Sequence, residues 1–263
     1  GLCMNRDTIL FVSDLHLKGL DDPIQEAFVS WLEENAPRLS RLVIGGDLFD
    51  VWIGFKDVGY YHYIAVLEIF RKLKKQGVEI DYIEGNHDFF LGPFFTDILK
   101  ANIFEREAIY YLNGFKVSVT HGDLLNTKDV GYQWLRLFFR SRPFQWLIKI
   151  IPPSLIWMIG QKLSELSRSR KCAKTDIDSQ EKIVSLYRKL AEEKFRQFPD
   201  LDILIAGHNH FPDHYSFEAT GKKRTYFNLG DWVKHFTYLE YRPIKGKGEF
   251  SLKKYCFTPQ NQN

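Results

Sequence analysis

Residues 42–50 read LVIGGDLFD: an apolar run, two glycines, and two carboxylates three positions apart. The run is typical of a buried strand, and the glycines let the backbone turn sharply where the strand ends. In α/β proteins, sites gather at the carboxyl ends of strands. Asp47 and Asp50 are therefore candidate functional residues.

Four further segments place metal-competent side chains directly after an apolar run. Each alone is more often turn chemistry or a surface histidine than a ligand, so the prediction of a site depends on the whole set. Carboxylate, imidazole and amide oxygen ligands suit Mn, Fe or Zn rather than calcium. The segments are Ser13-Asp14-Leu15-His16, Gly85-Asn86-His87-Asp88, His121-Gly122-Asp123 and Gly207-His208-Asn209-His210.

The surrounding pattern predicts an α/β (α+β) fold. Strand-like runs and amphipathic helical patterns alternate as βαβαβ up to residue 83, and the first helix begins with Asp22 as N-cap and Pro23 at its first position. Asn113-Gly114 predicts a tight turn between strands at 108–112 and 115–120. We expect a single domain over residues 1–263, with a helical insertion or cap at residues 130–198.

Composition limits the class of protein. Hydrophobic residues make up 44% of the 263 residues and aromatic residues 16%, which excludes a largely disordered chain. The three cysteines are widely separated, so neither a disulfide framework nor a thiolate zinc site is indicated. The uncharged tract at 150–161 is shorter than the roughly twenty residues of a membrane span. No secretory signal pattern is present, and we expect a cytoplasmic protein.

Charge is concentrated in residues 132–174, which carry nine basic residues and one acidic residue, a balance of +8 in a chain of net charge +3. Such a segment is expected to meet a phosphate, a nucleic acid or a membrane surface. Its aromatic residues are mixed with Leu and Ile, which favours acyl chains over stacked bases, so no nucleic acid partner is expected. The alternatives are a solvated basic face and aromatic residues that belong to an ordinary core.

Taken in order, the five segments resemble the D-x-H, G-D-x-x-D, G-N-H-D, H-G-D and G-H-x-H motifs of the calcineurin-like metallophosphoesterases. The resemblance implies a two-sheet β-sandwich core flanked by helices, with two divalent metal ions, expected to be Mn²⁺. These ions would polarise a phosphoryl oxygen and activate a water for attack on phosphorus. One ion would be held by Asp14, His16, Asp47 and His210, and the other by Asp47, Asn86, His121 and His208, with Asp47 bridging.

Two further roles follow from the same resemblance. Asp50 is similar to the carboxylate that orients the histidine of G-N-H-D, so His87 would stabilise phosphoryl charge or protonate the leaving oxygen. Asp123 would fix a ligand histidine from behind.

The helical segment resembles the insertion of bacterial UDP-2,3-diacylglucosamine hydrolases, as do residues 52–54 and 89–92. The resemblance implies hydrolysis of UDP-2,3-diacylglucosamine to UMP and 2,3-diacylglucosamine 1-phosphate in lipid A biosynthesis. The enzyme would work as a peripheral protein on the cytoplasmic face of the inner membrane. His87 stands where well-known members have Arg, and residues 228–232 resemble a branch that keeps G-N-H-D. The implied substrate contacts are Asn86, His87, Asp129, Tyr132, Ser164, Arg168, Lys171 and His208.

Two other functions stay open at this point. One is a soluble metallophosphoesterase that acts on nucleotides, cyclic nucleotides or nucleic acid. The other is a non-catalytic scaffold with the same fold, but such a protein would be expected to lose ligands, and all seven candidate ligands are present here.

Overall fold

The computed structural model describes residues 6–54, 59–88, 90–126, 130–172, 177–244 and 246–257. Across these residues the strands form two sheets. The strands are β1 (Thr8–Val12), β2 (Leu39–Ile44), β3 (Glu79–Ile83), β4 (Asn102–Phe104), β5 (Glu107–Leu112), β6 (Phe115–Thr120), β7 (Ile203–Ala206), β8 (Asp213–Ala219), β9 (Lys222–Asn228), β10 (Thr237–Ile244) and β11 (Lys247–Lys254). The helices are α1 (Pro23–Asn35), α2 (Ile64–Lys75), α3 (Val130–Arg140), α4 (Arg142–Ile150), α5 (Pro153–Cys172) and α6 (Ile177–Gln197), with a π-helical turn at Phe94–Ile98.

The first sheet has the order β11-β10-β1-β2-β3-β4, and the second has the order β5-β6-β7-β9-β8. Strands β1 to β4 are parallel to one another, as are β6, β7 and β9, and the remaining neighbours pair antiparallel. Apolar side chains from both sheets share one buried cluster, which includes Phe11, Val43, Val119, Ile205 and Phe227. The predicted two-sheet sandwich is confirmed.

Helices cover the outer face of each sheet. Helix α1 begins where the sequence predicts, because the Asp22 side chain accepts a hydrogen bond from the Ile24 N–H at 3.0 Å and Pro23 occupies the first turn. Its stripe of Phe28 and Trp31 is fully buried together with residues of α2 against the first sheet. Helix α6 buries Phe195 against the second sheet.

Two connections illustrate local control of the fold. Asn113 and Gly114 both have positive φ, 47° and 83°, as a tight turn of the predicted type requires, and they join β5 to β6. Strand β4 was not predicted from the sequence. It has three residues and pairs parallel with the end of β3, so it is too short for a periodic pattern to identify.

The helices α3 to α6 lie between β6 and β7. Three buried residues, Val51, Ile148 and Ile156, form the small cluster that joins this segment to the loop after β2. The ring of Trp157 stacks on His62, with centroids 3.8 Å apart. Arg140 pairs with Glu84 at 2.7 Å. Within the described residues, we find no helix that is long and apolar enough to cross a membrane.

Candidate metal centre

The candidate ligands all follow strands that run in the same direction within their sheets. Asp14, Asp47 and Asn86 follow β1, β2 and β3 of the first sheet, while His121 and His208 follow β6 and β7 of the second. The carboxyl ends of parallel strands meet at one edge. Packing the two sheets face to face therefore brings both sets of loops to one place.

The backbone at this edge is unusual. Asp14, His16, Asp47, His208 and His210 have φ values of 55°, 49°, 52°, 70° and 68°, a left-handed conformation that residues other than glycine rarely adopt. Backbone strain of this kind clusters at functional sites, where the surrounding structure must hold it. Here the holding contacts include hydrogen bonds from the Asp14 N–H to the Gly46 carbonyl and from the His16 N–H to the Asp47 carbonyl, both 3.1 Å.

Two glycines are required by close packing around Asp47. Gly46 has a φ of 95°, and a Cβ there would lie 2.8 Å from the Gly85 Cα and 2.6 Å from the His121 Nδ1. A Cβ on Gly85 would collide with the Asp47 carboxylate. The glycines of the G-G-D and G-N-H-D segments therefore allow the loops after β2 and β3 to touch.

One cluster joins Asp14, His16 and His210. The Asp14 Oδ1 lies 3.7 Å from the His16 Nε2 and 3.8 Å from the His210 Nε2. The Asp47 Oδ2 lies 3.8 Å from the same His16 nitrogen. Asp14, His16 and His210 can thus each offer one ligand atom to a common ion, and Asp47 adjoins this group through His16.

A second cluster adjoins it through Asp47. The His121 Nε2 lies 2.9 Å from the Asn86 Oδ1 and 3.4 Å from the Asp47 Oδ2. The His208 Nδ1 lies 3.0 Å from the Asn86 Oδ1 and 3.2 Å from the His121 Nε2. Asp47 therefore faces both clusters, as the predicted bridging role requires.

The donor atoms fit divalent ions. The Asp14 Oδ2 accepts hydrogen bonds from the Ser13 hydroxyl and the His208 N–H, but its Oδ1 and the His16 Nε2 are buried with no hydrogen-bond partner among the described residues. Unpaired buried polar atoms are costly, and a cation would satisfy both. One ion would be held by Asp14, His16, Asp47 and His210, and a second by Asp47, Asn86, His121 and His208. Two such ions supply Lewis acidity toward a phosphoryl group and activate water near neutral pH.

The pKa values of two candidate ligand histidines, one in each cluster, are shifted in opposite directions. Burial alone lowers the pKa of His16, but the nearby carboxylates of Asp14, Asp50 and Asp47 raise this pKa to about 10. In the second cluster, by contrast, burial and the neighbouring His121 lower the pKa of His208 to about 4. A cation that binds His16 must displace a proton, so the affinity of the first cluster for a metal ion rises with pH.

Groups behind the histidines select which ring nitrogen faces inward. The Asp50 Oδ1 lies 3.4 Å from the His16 Nδ1, and the Gly45 carbonyl lies 2.8 Å from the His121 Nδ1. Such partners fix the tautomer and the ring orientation of a ligand histidine. The family resemblance predicts that Asp50 orients His87, and the structure shows in addition that Asp50 lies beside His16. Asp123, predicted to fix a ligand histidine, is buried two residues after His121.

His87 lies at the open side of the first cluster. Its N–H donates to the Asp47 Oδ1 at 2.9 Å, and its ring meets the His16 ring edge to face at 5.1 Å. His87 is close enough to His16 and Asp47 to count geometrically as a ligand too. It is partly exposed, as a group that contacts a substrate must be.

The sequence analysis assigns no role to Asp88. In the structure this residue links the loop after β2 to the loop after β3. Its Oδ2 accepts hydrogen bonds from the N–H groups of Asp47 and Gly85 at 2.7 and 2.9 Å, and its Oδ1 accepts one from the Tyr82 hydroxyl at 2.8 Å. Burial and the charge of Asp47 raise the pKa of Asp88 to about 7. The only sequence signal for this role is that Asp88 is the aspartate of the G-N-H-D motif.

We predict that Tyr82→Phe lowers both stability and turnover while both metals stay bound. The variant loses a hydrogen bond to a buried carboxyl group, worth about 1.5–3 kcal/mol if the carboxyl is charged, measurable by urea denaturation. Tyr110→Phe is a matched control, because its hydroxyl donates to the buried Asp81 at 2.6 Å away from the metal centre. Equal losses of turnover in both variants would contradict a specific role for Tyr82.

The predicted substrate contacts are only partly described. Asn86, His87 and His208 meet at the centre. Asp129 lies outside the described residues. The backbones of Tyr132, Ser164, Arg168 and Lys171 belong to α3 and α5, but their side chains also lie outside the described part.

Comparison with known proteins agrees with this geometry. The family model described as calcineurin-like phosphoesterase matches residues 7–212, and the chain belongs to that family. A UDP-2,3-diacylglucosamine hydrolase of Aliivibrio fischeri is 32% identical over 238 residues, covering 89% of this chain and 94% of the relative. The protein of the same name from Stenotrophomonas maltophilia is 33% identical over 234 residues, covering 88% and 94%.

A solved structure, titled as a novel archaeal phosphodiesterase, aligns with a TM-score of 0.45 and 14% identity over 94% of this chain and 99% of that chain. Family membership and the two clusters together identify the protein as a metal-dependent hydrolase of phosphoesters.

Proposed function

We propose that this enzyme hydrolyses the pyrophosphate of UDP-2,3-diacylglucosamine to UMP and 2,3-diacylglucosamine 1-phosphate, using two Mn²⁺ ions. It would work as a peripheral protein on the cytoplasmic face of the inner membrane. One observation carries the proposal: helices α3 to α5, inserted between the strands that lead to His121 and His208, expose a broad apolar and basic surface. The names of the relatives support the same substrate.

The apolar side chains of this surface are strongly exposed. Trp134, Trp146 and Ile150 are 70%, 67% and 60% exposed. Contiguous exposed apolar patches on soluble proteins are usually small, and larger ones mark binding or membrane surfaces. The exposed apolar residues of these helices are Trp134, Leu137, Phe138, Trp146, Leu147, Ile150, Leu155, Met158 and Ile159.

Their exposure argues against an ordinary core. Helices α4 and α5 already bury Ile148 and Ile156 against Val51 on the body of the protein. The exposed side chains are therefore additional to those that dock the helices. In this proposal, residues 130–172 act as a cap over the metal centre.

Basic side chains accompany the apolar ones. Arg142, Lys149 and Lys162 are exposed on α4 and α5. Near an anionic membrane each adds about 1 kcal/mol of attraction, and each buried CH₂ of an acyl chain adds about 0.8 kcal/mol. Neither contribution assists a small soluble nucleotide, so the pairing favours a lipid-linked substrate.

The test compares substrates that share the pyrophosphate but differ in acylation. We expect UDP-2,3-diacylglucosamine to be cleaved far faster than UDP-N-acetylglucosamine or bis(p-nitrophenyl) phosphate, with a rate that rises with acyl length. Equal cleavage of the unacylated compounds would replace the proposal with a soluble nucleotide phosphoesterase. In ¹⁸O-water the label should enter UMP, which places the attack at the α-phosphorus.

A surface variant tests the membrane contact separately. We predict that Trp146→Ser combined with Ile150→Ser weakens binding to phosphatidylglycerol vesicles roughly 10-fold or more, because two large apolar side chains no longer enter the lipid. Hydrolysis of a short-chain soluble analogue should not change. Tyr111→Ser is the control, since Tyr111 is 75% exposed on β5. Unchanged vesicle binding in the double variant would contradict this surface assignment.

A further inference from the structure

Residues 229–236 connect β9 to β10. Together with Asn228 and Thr237 at the strand ends, they form a tightly bonded turn beside the first metal cluster. The Asn228 Oδ1 accepts a hydrogen bond from the Gly230 N–H at 3.0 Å, and the Thr237 hydroxyl donates to the Leu229 carbonyl at 2.7 Å. The Trp232 indole donates to the Thr237 carbonyl at 3.0 Å. The turn therefore has a fixed shape.

This turn contacts the loops that carry the first-site ligands. The Trp232 N–H donates to the Asp14 carbonyl at 3.2 Å, and the Asn228 amide donates to the Gly207 carbonyl at 2.9 Å. The Asp231 Oδ2 lies 3.4 Å from the His210 Nδ1. Asp14 and His210 belong to the same cluster, so one turn supports two ligands of one site.

Asp231 is itself held in place. The carboxylate is 4% exposed, and its Oδ1 accepts the N–H groups of Lys234 and His235, both at 3.0 Å. The His235 Nδ1 lies 3.0 Å from the same oxygen. These contacts hold the carboxylate in one orientation, with its Oδ2 toward the His210 ring. Asp231 thus presents a fixed negative charge to the His210 ring.

We propose that Asp231 is a positioning residue for His210: it holds the Nδ1 of the ring on its own side and thereby directs the Nε2 toward Asp14, which presets the first metal site. Asp50 has the equivalent position behind His16. At the second site, the His121 Nδ1 instead faces the Gly45 carbonyl. Carboxylates behind ligand histidines raise the basicity of the ring and fix its orientation. The role of Asp231 is therefore specific to one site and independent of the substrate.

The main test measures Mn²⁺ binding to the metal-free protein by titration calorimetry and electron paramagnetic resonance. Asp231→Asn retains an oxygen for the Lys234 and His235 N–H groups but loses the charge opposite His210. We expect one of the two Mn²⁺ ions to bind about 10- to 100-fold more weakly, with the other unchanged.

The control is Asp202→Asn, since Asp202 is also buried but accepts its hydrogen bond from the Lys116 N–H in the second sheet. It should bind both ions as the unaltered protein does. Two unchanged dissociation constants in Asp231→Asn, or equal weakening of both ions in a folded variant, would overturn the proposal.

A second measurement needs no variant and decides the matter if Asp231→Asn does not fold. In the Zn²⁺-loaded protein, ¹⁵N spectra should show His210 protonated at Nδ1 and coordinating through Nε2. His208 is the internal reference, because its Nδ1 faces Asn86 and His121 and should coordinate instead. Coordination of His210 through Nδ1 would disprove the role of Asp231.

Discussion

Asp47→Ala should abolish hydrolysis and leave no more than one tightly bound metal ion per chain. Asp47 faces both clusters, with its Oδ2 3.8 Å from the His16 Nε2 and 3.4 Å from the His121 Nε2. Metal ions stabilise phosphoryl transition states by several kcal/mol, so we expect turnover to fall by at least about 10³-fold. Elemental analysis after loading with Mn²⁺ and a hydrolysis assay on the same sample measure both effects.

A second substitution separates the loss of the bridge from the loss of a loop contact. The Asp47 Oδ1 accepts the His87 N–H at 2.9 Å, so alanine also releases the G-N-H-D loop. Asp47→Asn keeps an oxygen for that bond but cannot offer a second carboxylate oxygen to the metals. It should still lose most of the activity. Full turnover by either variant, or two tightly held ions in Asp47→Ala, would contradict a bridging ligand.

The fold was largely predictable because its signals are local. The N-cap Asp22, the Asn113-Gly114 turn and the apolar runs before each ligand loop act over a few residues, and the structure confirms all three. Convergence of the ligand segments followed from strand direction, since parallel strands end at one edge.

Contacts between distant loops were less predictable. The position of Asp50 behind His16 depends on how the loop after β2 folds back on the loop after β1, where the Asp50 N–H bonds to the Leu17 carbonyl. The proximity of Asp231 to His210 depends on a turn that lies between β9 and β10. Residue spacing along the chain does not predict the Asp50–His16 or the Asp231–His210 distance. In both pairs the carboxylate lies next to the ring Nδ1, on the side away from the predicted metal.

His87→Ala should reduce turnover by roughly 10²-fold or more while the protein keeps both metals, as expected when a group that stabilises phosphoryl charge is removed. His87 lies near His16 and Asp47. The other seven candidates are nevertheless enough to offer four ligands to each of the two predicted sites, with Asp47 counted in both. Metal analysis of the variant therefore decides whether His87 is a ligand. Loss of one metal ion from His87→Ala would show that His87 is a metal ligand. His214→Ala, at an exposed position on β8, is the control.

A second variant distinguishes charge stabilisation from proton donation. In the proposed reaction the leaving group is a sugar 1-phosphate, which is weakly basic and departs without a proton near neutral pH. His87 would then act by donating hydrogen bonds to a phosphoryl oxygen, and Arg can do the same although it cannot release a proton. His87→Arg should therefore recover much of the activity that His87→Ala loses. If His87→Arg were as slow as His87→Ala on UDP-2,3-diacylglucosamine, His87 would have to act as a general acid.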